Sequence, residues 1–274
     1  MAVKRAAGRA LEDSAALRAE IRAGSHTATT AGRASGFVQA NLVILPAQLA
    51  FDFVVFCQRN PKPCPLLEVL ERGDPVPRLT APAADIRSDV PSYRIYERGR
   101  LVDEVTDISE HWRDGAVAFL LGCSITFEEA LIRAGIPVRH QEVGCTVPMY
   151  RTGRQCRPAG SFHGRMVVSM RPIPTGLVGR AVQITARTPA AHGAPLHVGE
   201  ATALGITDVG RPDYGDPVSI RSGEVPVFWG CGVTPQSVAL DSEPEWMITH
   251  SPGRMFVTDV PNHELDVLGG GFLS

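Results

Sequence analysis

Apolar residues in this chain fall into short runs separated by polar and turn-forming stretches. Two of the runs, 116–121 and 225–229, end in nearly the same motif. Gly122-Cys123-Ser124-Ile125-Thr126 in the first recurs as Gly230-Cys231-Gly232-Val233-Thr234 in the second. Each run reads as a buried strand, and each motif leads into a segment of helical texture. A histidine follows each cysteine at a similar distance, His140 and His250, in segments that read as strands. The duplication predicts a diverged internal repeat, whose two pseudo-equivalent halves would meet at a cleft.

The remaining pattern supplies the framework. Residues 9–24 read as a helix ended by Gly24. The small-residue stretch 27–41 feeds the apolar Leu42-Val43-Ile44-Leu45-Pro46. A helix is predicted from Ala47 to Asn60, stopped by Pro61. Residues 61–91 are proline-rich and read as an extended connection with one short helix near Leu66–Glu71. Tyr93–Tyr96 and Leu101–Val105 flank Arg98-Gly99 as a hairpin. Beyond Val147 the texture changes. Met166–Met170 reads as a strand, Leu177–Thr188 as a helix, and polar loops holding His192, His197, Glu200, Asp208, Asp213 and Asp216 follow. The expected organisation is a discontinuous main domain, 1–146 and 219–274, with a smaller α+β domain, 147–218, inserted between the repeat halves.

Composition narrows the function classes. The chain has 274 residues, 44% hydrophobic and 20% charged, the profile of an ordinary globular protein. A net charge of −2, with no basic run, argues against nucleic acid as a partner. The apolar stretch 42–56 is broken by Pro46 and Asp52, so no membrane span is expected. The six cysteines form no zinc-knuckle, CxxC or iron–sulfur spacing. The start of the chain carries Glu12, Asp13 and Glu20, unlike a transit peptide. A cytoplasmic location with free thiols is therefore expected, and no cofactor. The apolar, glycine-rich tail 268–273 is compatible with a homo-oligomer.

The chemistry centres on the two Gly-Cys turns. A cysteine between a strand and a helix meets the partial positive charge of the helix start, which favours the thiolate. Thr126 and Thr234 are placed to hydrogen-bond an anion there. Arg33, in the small-residue loop, can clamp a carboxylate bidentately, and Gln39 and Asn41 can hold amide or hydroxyl groups. Two thiols across a cleft suit proton abstraction next to a carboxylate, one taking a proton and the other donating one. Cys123 and Cys231 are the expected acid–base pair, with His140 and His250 tuning or relaying protons. His192, His197 and Glu200 offer an alternative, metal-dependent site, although their spacing matches no helical metal motif.

Several blocks together resemble the DUF1445 family, whose bacterial members are also called UPF0317 or YcsI-like hydro-lyases. They are GRASGFVQANLVILP (32–46), NPKPCP (60–65), GCSITFEEA (122–130), VPMYRT (147–152), VVSMRPIP (167–174), HGAPLHVG (192–199), FWGCGVTPQ (228–236) and THSPGRMFVTD (249–259). A related domain occurs in mitochondrial D-glutamate cyclases. The resemblance spans about residues 26–260. It implies an α/β fold, with a three-layer main domain joined to a smaller two-layer one, and a lyase activity. It carries over no catalytic residues. The reading that emerges is a hydro-lyase acting on a small hydroxy or amino carboxylic acid without a cofactor. The alternatives are lactam formation of the D-glutamate cyclase kind, a metal-dependent hydro-lyase, and a non-catalytic carrier of an amino or hydroxy acid.

Overall fold

The computed structural model describes residues 13–268. The helix expected over 9–24 is α1 (Ser14–Arg22); residues 9–12 and the tail beyond Leu268 lie outside the described range. The chain continues through β1 (Phe37–Pro46), α2 (Ala47–Arg59), β2 (Leu66–Val69), β3 (Tyr93–Glu97), β4 (Arg100–Val105) and β5 (Ala116–Gly122). Two short helices, α3 (Glu128–Arg133) and α4 (Arg139–Val143), lead to β6 (Met149–Gln155) and β7 (Arg165–Pro174). Then come α5 (Val178–Ala186), β8 (His197–Val198), β9 (Glu224–Gly230), α6 (Thr234–Ser242), β10 (Trp246–His250) and β11 (Phe256–Pro261).

The fold mixes helices with two antiparallel sheets, as the expected α/β character requires. The larger sheet runs β2-β5-β1-β10-β3-β4, and β11 pairs with the N-terminal half of β1. The smaller runs β6-β7-β9-β8. In β1 both alternating sets of side chains are buried. Val38, Ala40, Leu42 and Ile44 join one core with Leu120, Ile248 and the 81–90 coil; Val43 and Leu45 join another with Phe53, Phe56 and Phe119. A strand apolar on both faces must lie inside its sheet, which is why the run 42–46 carries no polar residue.

Three local expectations differ from the structure. The segment expected as a helix near Leu66 is strand β2. Its backbone groups pair along β5, and the Glu68 carboxylate accepts from the Leu79 and Thr80 amides. One helical turn after Pro65 would leave most of those groups unpaired. His140 sits on α4 rather than a strand, because Gly144 at φ 71° closes a single helical turn. The third difference is β9. The division at residue 219 assigns it to the larger unit, but β9 is hydrogen-bonded along its length to β7 in the smaller sheet.

That third difference exposes the repeat. In the larger sheet β1 ends in Pro46, α2 follows, β2 returns to the edge of β5, and β5 ends in Gly122-Cys123. In the smaller sheet β7 ends in Pro174, α5 follows, β8 returns to the edge of β9, and β9 ends in Gly230-Cys231. The registers match as well: Ala40 faces Gly122 and Asn41 faces Leu121, as Val168 faces Gly230 and Ser169 faces Trp229. Each sheet thus holds one copy.

The copies lock reciprocally. A methyl group added at Gly122 would lie 1.7 Å from the Ala190 carbonyl oxygen, in the α5–β8 connection of the other copy. One added at Gly230 would lie 2.7 Å from the Lys62 carbonyl oxygen, in the α2–β2 connection. Gly122→Ala should therefore cost about 3 kcal/mol of stability in urea melts, as overpacking against fixed backbone does. Gly179→Ala, where the added methyl meets nothing within 4 Å, should change stability by less than about 1 kcal/mol.

Candidate active site

The two Gly-Cys turns converge where the sheets meet. Their local geometry is duplicated. The Cys123 sulfur accepts the Ile125 amide at 3.5 Å, and the Val233 amide bears on the Cys231 sulfur in the same way. The Thr126 hydroxyl accepts the Gln39 amide at 3.1 Å, and the Thr234 hydroxyl accepts the Val167 amide at 3.1 Å. Thr234 also donates to the Cys231 carbonyl. These threonines clamp each turn to its neighbouring strand, and their hydroxyls are engaged with backbone.

Asn41 stands between the turns. Its amide donates to the Gly122 carbonyl at 2.7 Å, and a methyl group at Gly232 would lie 1.9 Å from its nitrogen. One side chain thus touches both copies, and Gly232 is glycine because Asn41 fills the space. The Cys231 thiol lies close enough to raise the cost of charging Cys123. They are 7% and 6% exposed, whereas Asn41 and Arg171 are at 1% or less.

Beneath the turns lies a buried ionic cluster that the motifs did not announce. Arg171 on β7 donates from Nε to Glu128 Oε1 at 2.9 Å and from Nη2 to the same oxygen. It also donates to the Ser124 hydroxyl at 3.0 Å and the Ser169 hydroxyl at 3.1 Å. Its guanidinium lies over the rings of Phe127 and Trp229. His140 Nε2 lies 3.1 Å from Glu128 Oε1, and Gln141 donates to Oε2. Burial alone would raise the Glu128 carboxyl, but the charges and hydrogen bonds of His140 and Arg171 prevail and hold it at about 2. His140 is therefore a partner of Glu128. A buried arginine inside a strand, at Arg171, was the one sequence signal for this cluster.

The remaining sequence candidates are elsewhere or otherwise occupied. Arg33 pairs with Glu20 at 2.8 Å and contacts His26. Gln39 is spent inside its own loop, accepting from Thr30 and donating to the Thr30 and Arg33 carbonyls. His250 follows Trp246 and Ile248 in strand alternation, on the sheet face opposite Asn41, and its Nδ1 faces the Leu42 backbone. No group of three metal-ligating side chains exists among the described residues. His197 Nε2 instead faces the Glu200 carbonyl and His192 Nδ1 the Lys62 carbonyl.

The expected thiolate character is also corrected. Burial pushes the Cys123 thiol up to about 12, with Cys231 and Glu128 adding to the effect against the Ile125 amide and Arg171. Burial likewise pushes Cys231 up to about 11, against the Val233 amide and Arg171. Desolvation outweighs the turn dipoles because each receives one backbone N–H rather than a full helix end. Both cysteines rest as thiols at neutral pH.

Two measurements test this electrostatic picture. Glu128, with a folded-state pKa of about 2 against an ordinary value of 4.5, stabilises the fold fully above pH 4.5 and loses that contribution as pH falls towards 2. Acid melts of Glu128→Gln should lack this component and start from a stability lower by about 3 kcal/mol, because Arg171 stays buried without its counter-charge. Alkylation by iodoacetamide at pH 7.5, followed by mass spectrometry, should label the partly exposed Cys145 well before Cys123 and Cys231.

Comparison with known proteins follows the same junction. A family model described as D-glutamate cyclase matches residues 117–259, a span that includes both Gly-Cys turns, Arg171 and His192. A Bacillus licheniformis protein named "Putative hydro-lyase" is 61% identical over 92% of this chain and 96% of its own length. "Putative hydro-lyase YcsI" of Bacillus subtilis is 58% identical over 92% of this chain and 98% of its own. A "Putative hydro-lyase" of Stutzerimonas stutzeri is 58% identical over 93% and 96%. Among solved structures, a nitrogen repressor-like protein from Methanococcus jannaschii overlaps with a TM-score of 0.36 at 9% identity over 86% of this chain and 91% of that one, too remote a likeness to bear on the fold.

Proposed function

The chain belongs to the D-glutamate cyclase family, with YcsI-like proteins as near relatives, and from that premise we propose that it is a hydro-lyase acting on a small hydroxy or amino carboxylic acid. The observation that carries this reading is the convergence of Cys123 and Cys231, each supplied by one copy of the repeat, around Asn41 and above Arg171. Removal of water next to a carboxylate needs a proton acceptor at carbon, a proton donor at the leaving hydroxyl and positive charge for the developing enolate. Thiols that rest protonated suit the donor role. The Asn41 amide can orient a hydroxyl or carboxylate, and the charge of Arg171 already reaches both sulfurs.

A second reading rests on the name of the family model. Cyclisation of glutamate to a lactam also expels water, but from the side-chain carboxyl, with the amine as nucleophile and no carbon–hydrogen bond broken. Here a thiol would protonate the departing oxygen. A carrier of the same acids is the non-catalytic alternative.

Proton NMR in heavy water, with hydroxy and amino dicarboxylic acids including both glutamate enantiomers, separates the three. A new alkene signal, or loss of an α or β proton, supports the hydro-lyase; a lactam signal supports cyclisation. Saturation transfer without any chemical change would move the reading to a carrier. With a reacting compound in hand, Cys123→Ser and Cys231→Ser should each lower turnover at least ~100-fold, the scale of a lost acid–base group, and leave circular dichroism and melting unchanged. Wild-type turnover in both variants would end the thiol mechanism.

A further inference from the structure

His192 is a buried titratable group beside the turns that the roles above leave unused. It follows the α5–β8 turn whose Ala190 closes on Gly122, and its ring bears on the Gly122 backbone. Its Nδ1 lies 2.8 Å from the Lys62 carbonyl, the same oxygen that closes on Gly230. The ring thus sits between the two turn glycines, where the copies lock. Lys62 in turn donates to the Ala194 carbonyl, so the two connections hold each other.

The tautomer follows from these contacts. A carbonyl only accepts, so Nδ1 carries the proton and the neutral ring keeps its lone pair on Nε2. Nε2 is buried and forms no hydrogen bond, although the Gly122 carbonyl also bears on the ring. The residue also adopts φ 74°, a left-handed conformation uncommon for non-glycine residues, in which asparagine, aspartate and histidine are the enriched types. A purely structural pin would need only the N–H to Lys62. Asparagine would supply that N–H and fit the left-handed turn better. What the imidazole adds is a buried, unpaired acceptor nitrogen beside both thiol-bearing turns. His140 and His250 also have buried Nε2 atoms without a hydrogen-bond partner, but that of His140 faces Glu128 Oε1 at 3.1 Å and His250 lies on the sheet face opposite Asn41.

We propose that His192 accepts the proton from the substrate carbon through Nε2, while a thiol of the Cys123–Cys231 pair donates one to the leaving group. This rests on the hydro-lyase reading above. The carbon–hydrogen bond breaks, its proton binds Nε2, and its electron pair becomes the new carbon–carbon π bond. The carbon–oxygen bond breaks, and the departing hydroxide takes the thiol proton and leaves as water. The imidazolium and thiolate left behind neutralise each other by proton transfer, so no external reagent is consumed. Burial holds the imidazole down at about 4, with the carbonyls of Lys62 and Gly122 opposing and the Lys62 and Arg171 charges assisting. It is therefore a free base at neutral pH, where both thiols are protonated, and the division of labour follows from resting protonation states.

His192→Asn tests this directly, since the amide N–H keeps the bond to Lys62, the left-handed turn tolerates asparagine, and only the Nε2 base is lost. The variant should melt like the wild type, keep KM within a few-fold and lose at least ~100-fold in kcat on the compound found by NMR. Wild-type turnover should fall as pH drops through about 4. Histidine nitrogen-15 spectra of the full chain give a readout independent of turnover: at pH 7 the His192 proton should reside on Nδ1. A proton on Nε2, or His192→Asn turning over like the wild type, overturns this assignment alone. A wild-type protein that leaves the whole panel unchanged overturns the hydro-lyase reading and this inference with it.

Discussion

Each Gly-Cys turn is closed by backbone from the other copy of the repeat, and much of the molecule's arrangement follows from that reciprocity. The Ala190 carbonyl presses on Gly122 and the Lys62 carbonyl on Gly230, at separations that leave no room for a side chain. Neither turn is complete without the opposite helix-to-strand connection. Asn41 ties the same locus from the side, bonded to one turn and packed against the other. Two sheets that share no strand pairing are thereby joined through backbone contacts, a stiffer union than side-chain packing alone.

The same closure sets the electrostatics. Taking both cysteines out of water raises their thiols, and the single N–H that each receives cannot offset the loss of solvent. Arg171 and Glu128 survive at full burial because they satisfy one another and because Ser124, Ser169 and Gln141 take up remaining hydrogen-bonding capacity, with His140 Nε2 3.1 Å from the carboxylate. The cluster also ties the copies together, since Glu128 follows the first Gly-Cys turn while Arg171 lies on the strand beside the second. The charge of Arg171 thus reaches both thiols and the buried His192 imidazole.

Much of the framework was legible along the chain. The alternation in 93–105 identified the hairpin, the helical spacing after Pro46 identified α2, and the paired Gly-Cys motifs identified a repeat whose copies both end in strand-to-helix turns. Individual ligand roles were not legible. Thr126, Thr234 and Gln39 are residue types that bind anions or amides, yet here their polar atoms face neighbouring backbone and, for Gln39 Oε1, the Thr30 hydroxyl. Arg33 is drawn to Glu20 on α1, a partner thirteen positions earlier that no local motif announces.

The sequence by itself determined most of the strands and helices and the duplicated Gly-Cys motif, because strand and helix periodicity and turn-forming glycines are local properties of the chain. Tertiary structure alone decided which residues meet. Assigning β9 to the smaller sheet depended on long-range pairing with β7, and placing His192 beside Lys62 depended on a contact between connections 130 positions apart. Burial, and with it the protonation state of each cysteine and histidine, depends on what packs around a group in three dimensions rather than on its neighbours in sequence.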